Sequence, residues 1–210
     1  MRAGGGDRLI MPRTVDLAVL ISGSGRTLQN FIDEINAGRL DARIRIVVSS
    51  SPFAGGNERA RRAGIPVAVV DRKLFTSERD FGAAVTKALE GQPIDLVLLA
   101  GFLHLWAFPP TFKGRVVNIH PALLPRFGGK GMYGHRVHEA VLTSGAGETG
   151  CTVHLADLEY DHGPILLQRR VPVRPGDTAE SLAARVFAEE CIAYPEAVRR
   201  LASALGKAPA

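Results

Sequence analysis

Short apolar runs alternate with segments of helical periodicity along this chain of 210 residues, and this alternation constrains the fold most. The first run, Val15 to Ile21, is interrupted only by Asp16, and the run from Ile94 to Ala100 is the most apolar. Runs of this length are typical of strands buried in a parallel sheet. The alternation predicts a single-domain α/β fold: a doubly wound, mostly parallel, Rossmann-like sheet with right-handed crossovers.

The same patterns set the expected bounds of the elements. Strands are predicted at residues 15–21, 43–49, 66–70, 94–100, 115–118, 148–155 and 165–173. Helices are predicted at residues 28–35, 57–63, 77–89, within 134–144, and at 177–205. Pro195 predicts a break or kink in the last helix, and Pro172 places the last strand at an edge of the sheet. The domain is expected to span 15–205, between a disordered tail at 1–14 and a short tail at 206–210.

Composition argues against several classes of function. The net charge is +5, but no dense run of Lys and Arg marks a nucleic-acid-binding arm, so scattered surface charge or an anionic small-molecule substrate is expected. No apolar run approaches the ~20 residues that span a bilayer. Cys151 and Cys191 lack the spacing of a disulfide framework or a cysteine zinc site, which fits a reducing, cytoplasmic setting.

The strand expected at 115–118 runs into a proline at residue 121. Pro121 removes a backbone donor and restricts the residue before it, so the strand is expected to give way to a loop. Asn118 and His120 are two residues apart and point to the same side while the chain stays extended. Ligands of open α/β sheets bind at the carboxyl ends of strands, so these two side chains are the first candidates for chemistry.

The loop after the first strand is a candidate phosphate site. Ser22-Gly23-Ser24-Gly25 leads into a segment of helical periodicity, an arrangement in which free N–H groups at a helix start hold a phosphate. Leu28 stands where a dinucleotide fingerprint needs a third small residue, and no Gly-Lys-Ser/Thr of a P-loop follows. An ordinary turn is the alternative, and the position after the first strand favours phosphate binding.

Gly101 to Pro110, after the fourth predicted strand, is crowded with apolar and aromatic side chains. These side chains either pack in the core or line a flat slot for a ring system. Their position at the carboxyl end of a strand favours the slot.

Asn118, His120 and Asp161 together suffice for acyl transfer to an amine that the substrate supplies. Histidine is tuned for proton transfer near neutral pH, a nearby carboxylate favours its charged form, and an amide donates to an oxyanion. Neither a serine nor a cysteine nucleophile motif is present. As alternatives, Asp161 caps the turn before Gly163, or Asn118 bonds only the local backbone. A metal site is the rival chemistry, but no HExxH or comparable spacing occurs. The histidines available to such a site are His104, His120, His135, His138, His154 and His162.

Three motifs occur in an order that resembles a known family. Val117-Asn-Ile-His-Pro-Ala-Leu-Leu-Pro125 is similar to the N-I-H-P-S-L-L-P signature of the formyltransferases that use 10-formyltetrahydrofolate. Gly150-Cys-Thr-Val-His154 and Asp161-His-Gly-Pro-Ile-Leu-Leu-Gln168 continue the match. Together with Ile21-Ser-Gly-Ser-Gly25, they resemble the phosphoribosylglycinamide formyltransferases of purine biosynthesis. The resemblance covers about residues 15–205.

The resemblance implies direct transfer of a formyl group from 10-formyltetrahydrofolate, a co-substrate, to the amine of glycinamide ribonucleotide, without a metal. It implies three catalytic residues, Asn118, His120 and Asp161. It implies substrate-binding residues in two groups, the phosphate loop Gly25, Arg26, Thr27 and Leu28, and the helical residues Phe187, Ala188, Glu189 and Glu190. It also implies that the segment 157–161 closes over the pterin. The implied folate-binding residues are Arg79, Leu103, His104, Leu105, Trp106, Asn118, Asp157, Leu158, Glu159, Tyr160 and Asp161. Arg26 and His104 depart from the family pattern, where Ser and often Arg stand.

Other branches of the family and one other class are alternatives. Methionyl-tRNA formyltransferases carry an additional carboxyl-terminal domain, for which we expect no room before Ala210. Formyltetrahydrofolate deformylases share the Asn, His and Asp but usually follow an amino-terminal regulatory domain, so Glu190 and the phosphate loop distinguish the transferase. A non-catalytic nucleotide-binding module leaves the three ordered residues unexplained. The expected partners are small molecules alone, with no nucleic acid or membrane, and the chain is expected to be a monomer or homodimer.

Overall fold

The computed structural model describes residues 14–205. Most of the predicted tails, at 1–13 and 206–210, lies outside this range. Seven strands form one sheet in the order β3-β2-β1-β4-β5-β6-β7. The strands are β1 (Val15–Ile21), β2 (Ala42–Ser49), β3 (Val67–Val69), β4 (Leu96–Leu99), β5 (Val116–His120), β6 (Glu148–Leu155) and β7 (Ile165–Pro172). The helices are α1 (Arg26–Asn36), α2 (Gly55–Arg62), α3 (Glu78–Leu89), α4 (His135–Thr143) and α5 (Ala179–Leu205).

The sheet confirms the predicted α/β class. Strands β1 to β5 pair in parallel, and β7 lies at an edge, as Pro172 predicted. Strand β6 pairs antiparallel with both β5 and β7. Strand β5 continues two residues beyond its predicted end, because Ile119 and His120 pair with Val153 and Thr152 of β6. The chain therefore stays extended through the two side chains that sequence singled out.

Two hydrophobic clusters cover the two faces of the sheet, and β1 contributes to both. Val19 belongs to one cluster and Leu20 to the other, because successive side chains of a strand point to opposite faces. In the first cluster Phe31 of α1 and Tyr194 of α5 meet edge to face, with ring centroids 5.0 Å apart. In the second, Phe81 of α3 is fully buried. Both faces are thus closed by helices, and the strand ends remain for function.

A break or kink was predicted at Pro195, and α5 is not broken there, because the helix runs without interruption from Ala179 to Leu205. A proline in a helix leaves the carbonyl four residues earlier without its usual donor, here that of Cys191. The Asn30 side chain of α1 supplies the missing bond, because its Nδ2 donates to the Cys191 carbonyl at 2.9 Å. The Tyr194 hydroxyl donates to the Val117 carbonyl at 2.7 Å and so ties α5 to β5.

Candidate functional site

A cavity of about 510 Å³ lies at the carboxyl ends of β4 and β5, beside the start of α1. This volume is in the range of small-molecule sites, roughly 300–1,000 Å³. The parallel strands end here and β6 begins to run the other way, so the cavity occupies the position where open α/β sheets bind ligands.

The three predicted catalytic side chains meet at this cavity. Asn118 and His120 project from β5, and Asp161 comes from the loop between β6 and β7. Asn118 Nδ2 donates to Asp161 Oδ1 at 3.2 Å, and His120 Nδ1 lies 3.3 Å from Asp161 Oδ2. The Gly129 backbone N–H also donates to Oδ2, at 3.0 Å. Asp161 thus joins groups from distant parts of the chain, and is more than a cap of its own turn.

Asp161 is held in its ionised form. Burial by itself raises the pKa of this carboxyl, but the hydrogen bond and charge of His120, the nearby His154 ring and the Gly129 N–H outweigh that effect. The net result is a pKa well below the usual range of an aspartate. Asp161 therefore stays negative throughout the physiological pH range.

His120 is buried and has an acceptor at each ring nitrogen. Its Nε2 lies 2.8 Å from the Phe127 carbonyl oxygen, which can only accept, and its Nδ1 faces Asp161. Both hydrogen bonds form together only when the ring carries two protons. The two acceptors therefore fix the orientation of the ring at the end of β5.

Asn118 is fixed by two side chains and does not merely bond the local backbone. Its Nδ2 lies 3.0 Å from His154 Nε2, and the register of β5 and β6 pairs these two residues directly. His154 Nδ1 lies 3.0 Å from the carbonyl oxygen of Leu155, so Nδ1 is the donor and Nε2 the acceptor. Both amide hydrogens of Asn118 are therefore engaged, one with His154 and one with Asp161.

The predicted phosphate loop supplies two residues to the cavity, Arg26 and Thr27. Gly25 precedes α1 with φ 71°, and a Cβ here would meet the Gly56 Cα at 2.5 Å, so only glycine fits the turn. Leu28 is buried in the core, and neither it nor Gly25 lines the cavity. The Arg26 guanidinium lies 3.8 Å from the centroid of the Phe187 ring, which fixes a positive charge beside the helix start.

Of the predicted residues on α5, Phe187 and Glu190 line the cavity and Ala188 and Glu189 do not. Residues three apart share a helix face, whereas the two between them point elsewhere. Ala188 is exposed and Glu189 pairs with Arg169 of β7. The substrate contacts of Ala188 and Glu189 stay predictions.

Glu190 makes no hydrogen bond or salt bridge within residues 14–205. Burial raises the pKa of its carboxyl to about 7, against the opposing charges of His120 and Arg26. A partly buried carboxyl without a partner at the cavity wall is suited to an amine or ammonium group.

The segment after β4 forms the opposite wall. Leu103, His104, Leu105 and Trp106 all line the cavity, which favours the predicted slot over simple core packing. His104 stands edge-on to Phe102, with ring centroids 5.7 Å apart, and burial lowers its pKa, with the Arg72 charge acting in the same direction. Trp106 is almost fully buried, so it supports the slot from behind.

The segment 157–161 faces this slot. Asp157, Glu159, Tyr160 and Asp161 line the cavity, and the Tyr160 hydroxyl accepts a hydrogen bond from the Leu105 N–H at 3.0 Å. Leu158 does not line it and is 58% exposed. The backbone turn thus places its polar members inward and its leucine outward.

Arg79 is not brought into the cavity. It lines a neighbouring groove with Ala83 and Thr86, residues of the same face of α3, and Leu105 lines both this groove and the cavity. The folate contact of Arg79 stays a prediction.

Residues 15–198 match a family model described as formyl transferase. The chain belongs to the formyl transferase family.

Relatives and solved structures agree with this assignment. Phosphoribosylglycinamide formyltransferase of Haemophilus influenzae is 37% identical over 185 residues, which are 87% of this chain and 85% of that protein. The trifunctional purine biosynthetic protein adenosine-3 of Bos taurus is 40% identical over 196 residues, 92% of this chain, which spans only 19% of that relative's length. Glycinamide ribonucleotide transformylase 1 from Symbiobacterium toebii superposes with a TM-score of 0.83 at 41% identity, covering 91% of this chain and 89% of that one.

This formyl transferase has site residues that sequence reasoning missed. The bond of His154 to Asn118 depends on the antiparallel register of β5 and β6, which the sequence alone does not show. Lys130 and Tyr133 line the cavity from the Gly-rich segment before α4, and His138 lines it from α4 itself. Helical spacing from Val137 and Val141, which are buried, was the one available signal for His138.

Two further findings concern metal ligands and membrane-spanning helices in the described part of this formyl transferase. Between residues 14 and 205 no three His, Cys, Asp or Glu side chains are grouped to hold a metal ion. No helix in that range is long and apolar enough to cross a membrane.

Proposed function

We propose that this chain transfers the formyl group of 10-formyltetrahydrofolate to the amine of glycinamide ribonucleotide, giving formylglycinamide ribonucleotide and tetrahydrofolate. The observation that carries the proposal is the hydrogen-bonded set of Asn118, His120 and Asp161 in a cavity with two unlike walls. One wall is apolar and aromatic, and the other carries Arg26 and Glu190. The names of the similar proteins point the same way and do not favour the deformylase alternative.

The apolar wall suits the folate. Leu103 to Trp106 offer a flat surface on which a pterin ring can lie. Asp157 and Glu159 of the facing segment supply acceptors for the N–H groups of the ring.

The charged wall suits the ribonucleotide. The start of α1 offers free N–H groups and Arg26 a fixed positive charge, which together match a phosphate. Glu190, one turn of α5 beyond Phe187, lies where it can bind the amine. The formyl carbon and the amine then meet beside His120.

Transfer follows from the hydrogen bonds at the end of β5. The amine lone pair forms a bond to the formyl carbon, and the carbonyl π electrons move to the oxygen. The His120 imidazolium stabilises this oxyanion by exchanging its Nε2 hydrogen bond with the Phe127 carbonyl for a stronger, charge-assisted one. Asn118 reaches the oxyanion by releasing one of its two internal bonds. A proton then passes from the attacking nitrogen to N10, and the C=O bond re-forms as the bond from carbon to N10 breaks.

The decisive experiment measures loss of 10-formyltetrahydrofolate with and without glycinamide ribonucleotide. The proposal expects turnover that depends on the ribonucleotide and yields one formylated product per folate released. Release of formate without the ribonucleotide would establish a deformylase, and no turnover in either arm would overturn the proposal in favour of a binding module or another acceptor. In the same assay His120→Ala is expected to lower kcat by about 10²–10³, while a thermal unfolding curve reports whether it folds.

A further inference from the structure

His138 is a buried polar side chain that the mechanism above does not use. It lies in α4 between the buried Val137 and Val141 and is only 4% exposed. Its Nδ1 is enclosed and has no hydrogen-bond partner within residues 14–205. An enclosed nitrogen without a partner destabilises a fold, because its lost hydrogen bond to water is not replaced. The polar ring of His138 therefore gives the fold no structural benefit. His138 also lines the cavity.

His138 is uncharged at physiological pH. Burial lowers the pKa of its ring to about 4, and the charges of His135 and His120 act in the same direction. A neutral ring can neither pair with a phosphate as a cation nor act as an acid near pH 7. Because Nδ1 is enclosed, the polar atom of His138 that a ligand can reach is Nε2, which has no partner within the described residues either.

The position of His138 assigns it to the charged wall. Helix α4 packs against α5, the helix that presents Glu190 to the cavity, and His135 at the start of α4 stands 3.9 Å from Glu180 of α5. In the proposed reaction the phosphate and the amine of the ribonucleotide already have charged partners, Arg26 and Glu190. The groups left on that substrate are uncharged, and the hydroxyls of its sugar both donate and accept, so they match either tautomer of a neutral imidazole.

We propose that His138 is a specificity residue that hydrogen-bonds a sugar hydroxyl of the amine substrate through Nε2. The proposal rests on the proposed function, since it names a subsite of the same cavity. It also explains why an unpartnered imidazole stands where an apolar side chain would pack better.

The test compares His138→Phe with the natural protein. Phenylalanine keeps a ring of similar size and removes both nitrogens, so stability is expected to stay equal or rise. The value of kcat/KM for glycinamide ribonucleotide is expected to fall about tenfold, the effect of one lost hydrogen bond, with KM for 10-formyltetrahydrofolate unchanged. A purely structural role predicts the reverse: lower stability, and both KM values altered together.

Analogues of the substrate make the test specific. The 2-deoxyribosyl and 3-deoxyribosyl forms of glycinamide ribonucleotide are assayed with the natural protein, His138→Phe and His138→Gln. The natural protein should disfavour one analogue about tenfold, His138→Phe should not, and His138→Gln, which restores a donor and an acceptor, should recover part of the preference. Equal discrimination by the natural protein and His138→Phe, or none by the natural protein, overturns the proposal. Absence of turnover with the ribonucleotide itself is a different result, because it contradicts the proposed function.

Discussion

Asn118 directs both of its amide hydrogens at groups of the protein, His154 on one side and Asp161 on the other. The amide is held in one orientation, because reversing it would place its oxygen against the Asp161 carboxylate. His120 is fixed in the same way by Asp161 and the Phe127 carbonyl. Every bond that these groups make to a substrate therefore replaces one that already exists. Dipoles oriented in advance need little rearrangement when charge develops, which is the main electrostatic source of catalysis.

Glu190 gives the site a definite pH dependence of stability. Its carboxyl holds a proton up to about pH 7 in the folded protein, against a usual value of 4.5. The folded state thus binds more protons than the unfolded state between these values, so the stabilisation is complete below pH 4.5 and is lost as pH rises through 7. Relative to Glu190→Gln, the natural protein should lose on the order of 3 kcal/mol of unfolding free energy across this range. Urea denaturation at stepped pH measures the difference.

Glu180→Gln is the matched control on the same helix. The Glu180 side chain is exposed and its pKa is lowered, first by a backbone hydrogen bond, so it is ionised in both states above pH 5 or so. Its substitution should leave the pH slope unchanged. A difference between the natural protein and Glu190→Gln that stays constant with pH would show that Glu190 has an ordinary pKa.

At the residue scale, the sequence was most informative where the signal was local. Asn118 and His120 could be predicted because a strand end and a following proline lie within four residues, and the family motif added Asp161. His138 and His154 could not, because each is defined by its neighbours from another element. For Arg79 the sequence indicates only that the residue is helical, and only the packing of α3 shows that it lines the groove beside Ala83 and Thr86.

At the scale of elements, α1 and α5 are joined by a hydrogen bond from a side chain to a backbone carbonyl. Pro195 removes the donor for the Cys191 carbonyl, and Asn30 of the neighbouring helix replaces it. Glu190 and Tyr194 both lie on this continuous helix, on either side of Cys191. Helix continuity here depends on a side chain 161 positions away in sequence.

A double-mutant cycle tests whether Asn30 replaces the backbone donor that Pro195 removes. Asn30→Ala should lower the unfolding free energy by about 1–2 kcal/mol, because it leaves the Cys191 carbonyl without a donor. In a Pro195→Ala background the restored N–H serves that carbonyl, and the same substitution should cost only a few tenths. Equal losses in both backgrounds would mean that Asn30 stabilises α5 in another way. Guanidinium denaturation of the four proteins gives the coupling energy.

The bounds of elements were predicted well where a strand is buried along its length. They were predicted less well where contacts with another element set the end. The limits of β1 and β6 agree with the sequence at both ends. Strand β5 was cut short because proline signals the end of extended chain, and nothing local indicates that Ile119 and His120 pair with β6. The uninterrupted course of α5 past Pro195 was not predicted either, because Asn30 lies in another helix.

At the scale of the whole molecule, two of the positive charges lie at the cavity. Arg26 and Lys130 both line the cavity, and neither forms a salt bridge within residues 14–205. Elsewhere some basic groups are paired with a carboxylate, as Arg62 is with Glu58. The positive charges at the cavity therefore attract an anionic substrate, and the net charge of +5 need not indicate a nucleic acid.

Lys130 carries the prediction at this scale. Lys130→Gln should raise KM for glycinamide ribonucleotide about threefold at low ionic strength, because one exposed charge contributes less than about 1 kcal/mol. The effect should shrink toward none in about 0.5 M salt, where dissolved ions screen the interaction between charges to a short range. Arg62→Gln, which removes a charge outside the cavity, should leave KM unchanged. Initial rates at a series of salt concentrations distinguish a charge effect from a change of shape, which salt would not abolish.

The cavity draws its lining from Arg26 at the start of α1 to Glu190 in α5, two residues separated by 190 − 26 = 164 positions. During synthesis at about 5–20 residues per second, roughly ten to thirty seconds pass between the two. Late in that interval a nascent chain on the ribosome has every strand from β1 to β7 but no α5 to complete the wall. The residues of the apolar wall are therefore all made before the carboxyl of Glu190, and the charged wall is completed last.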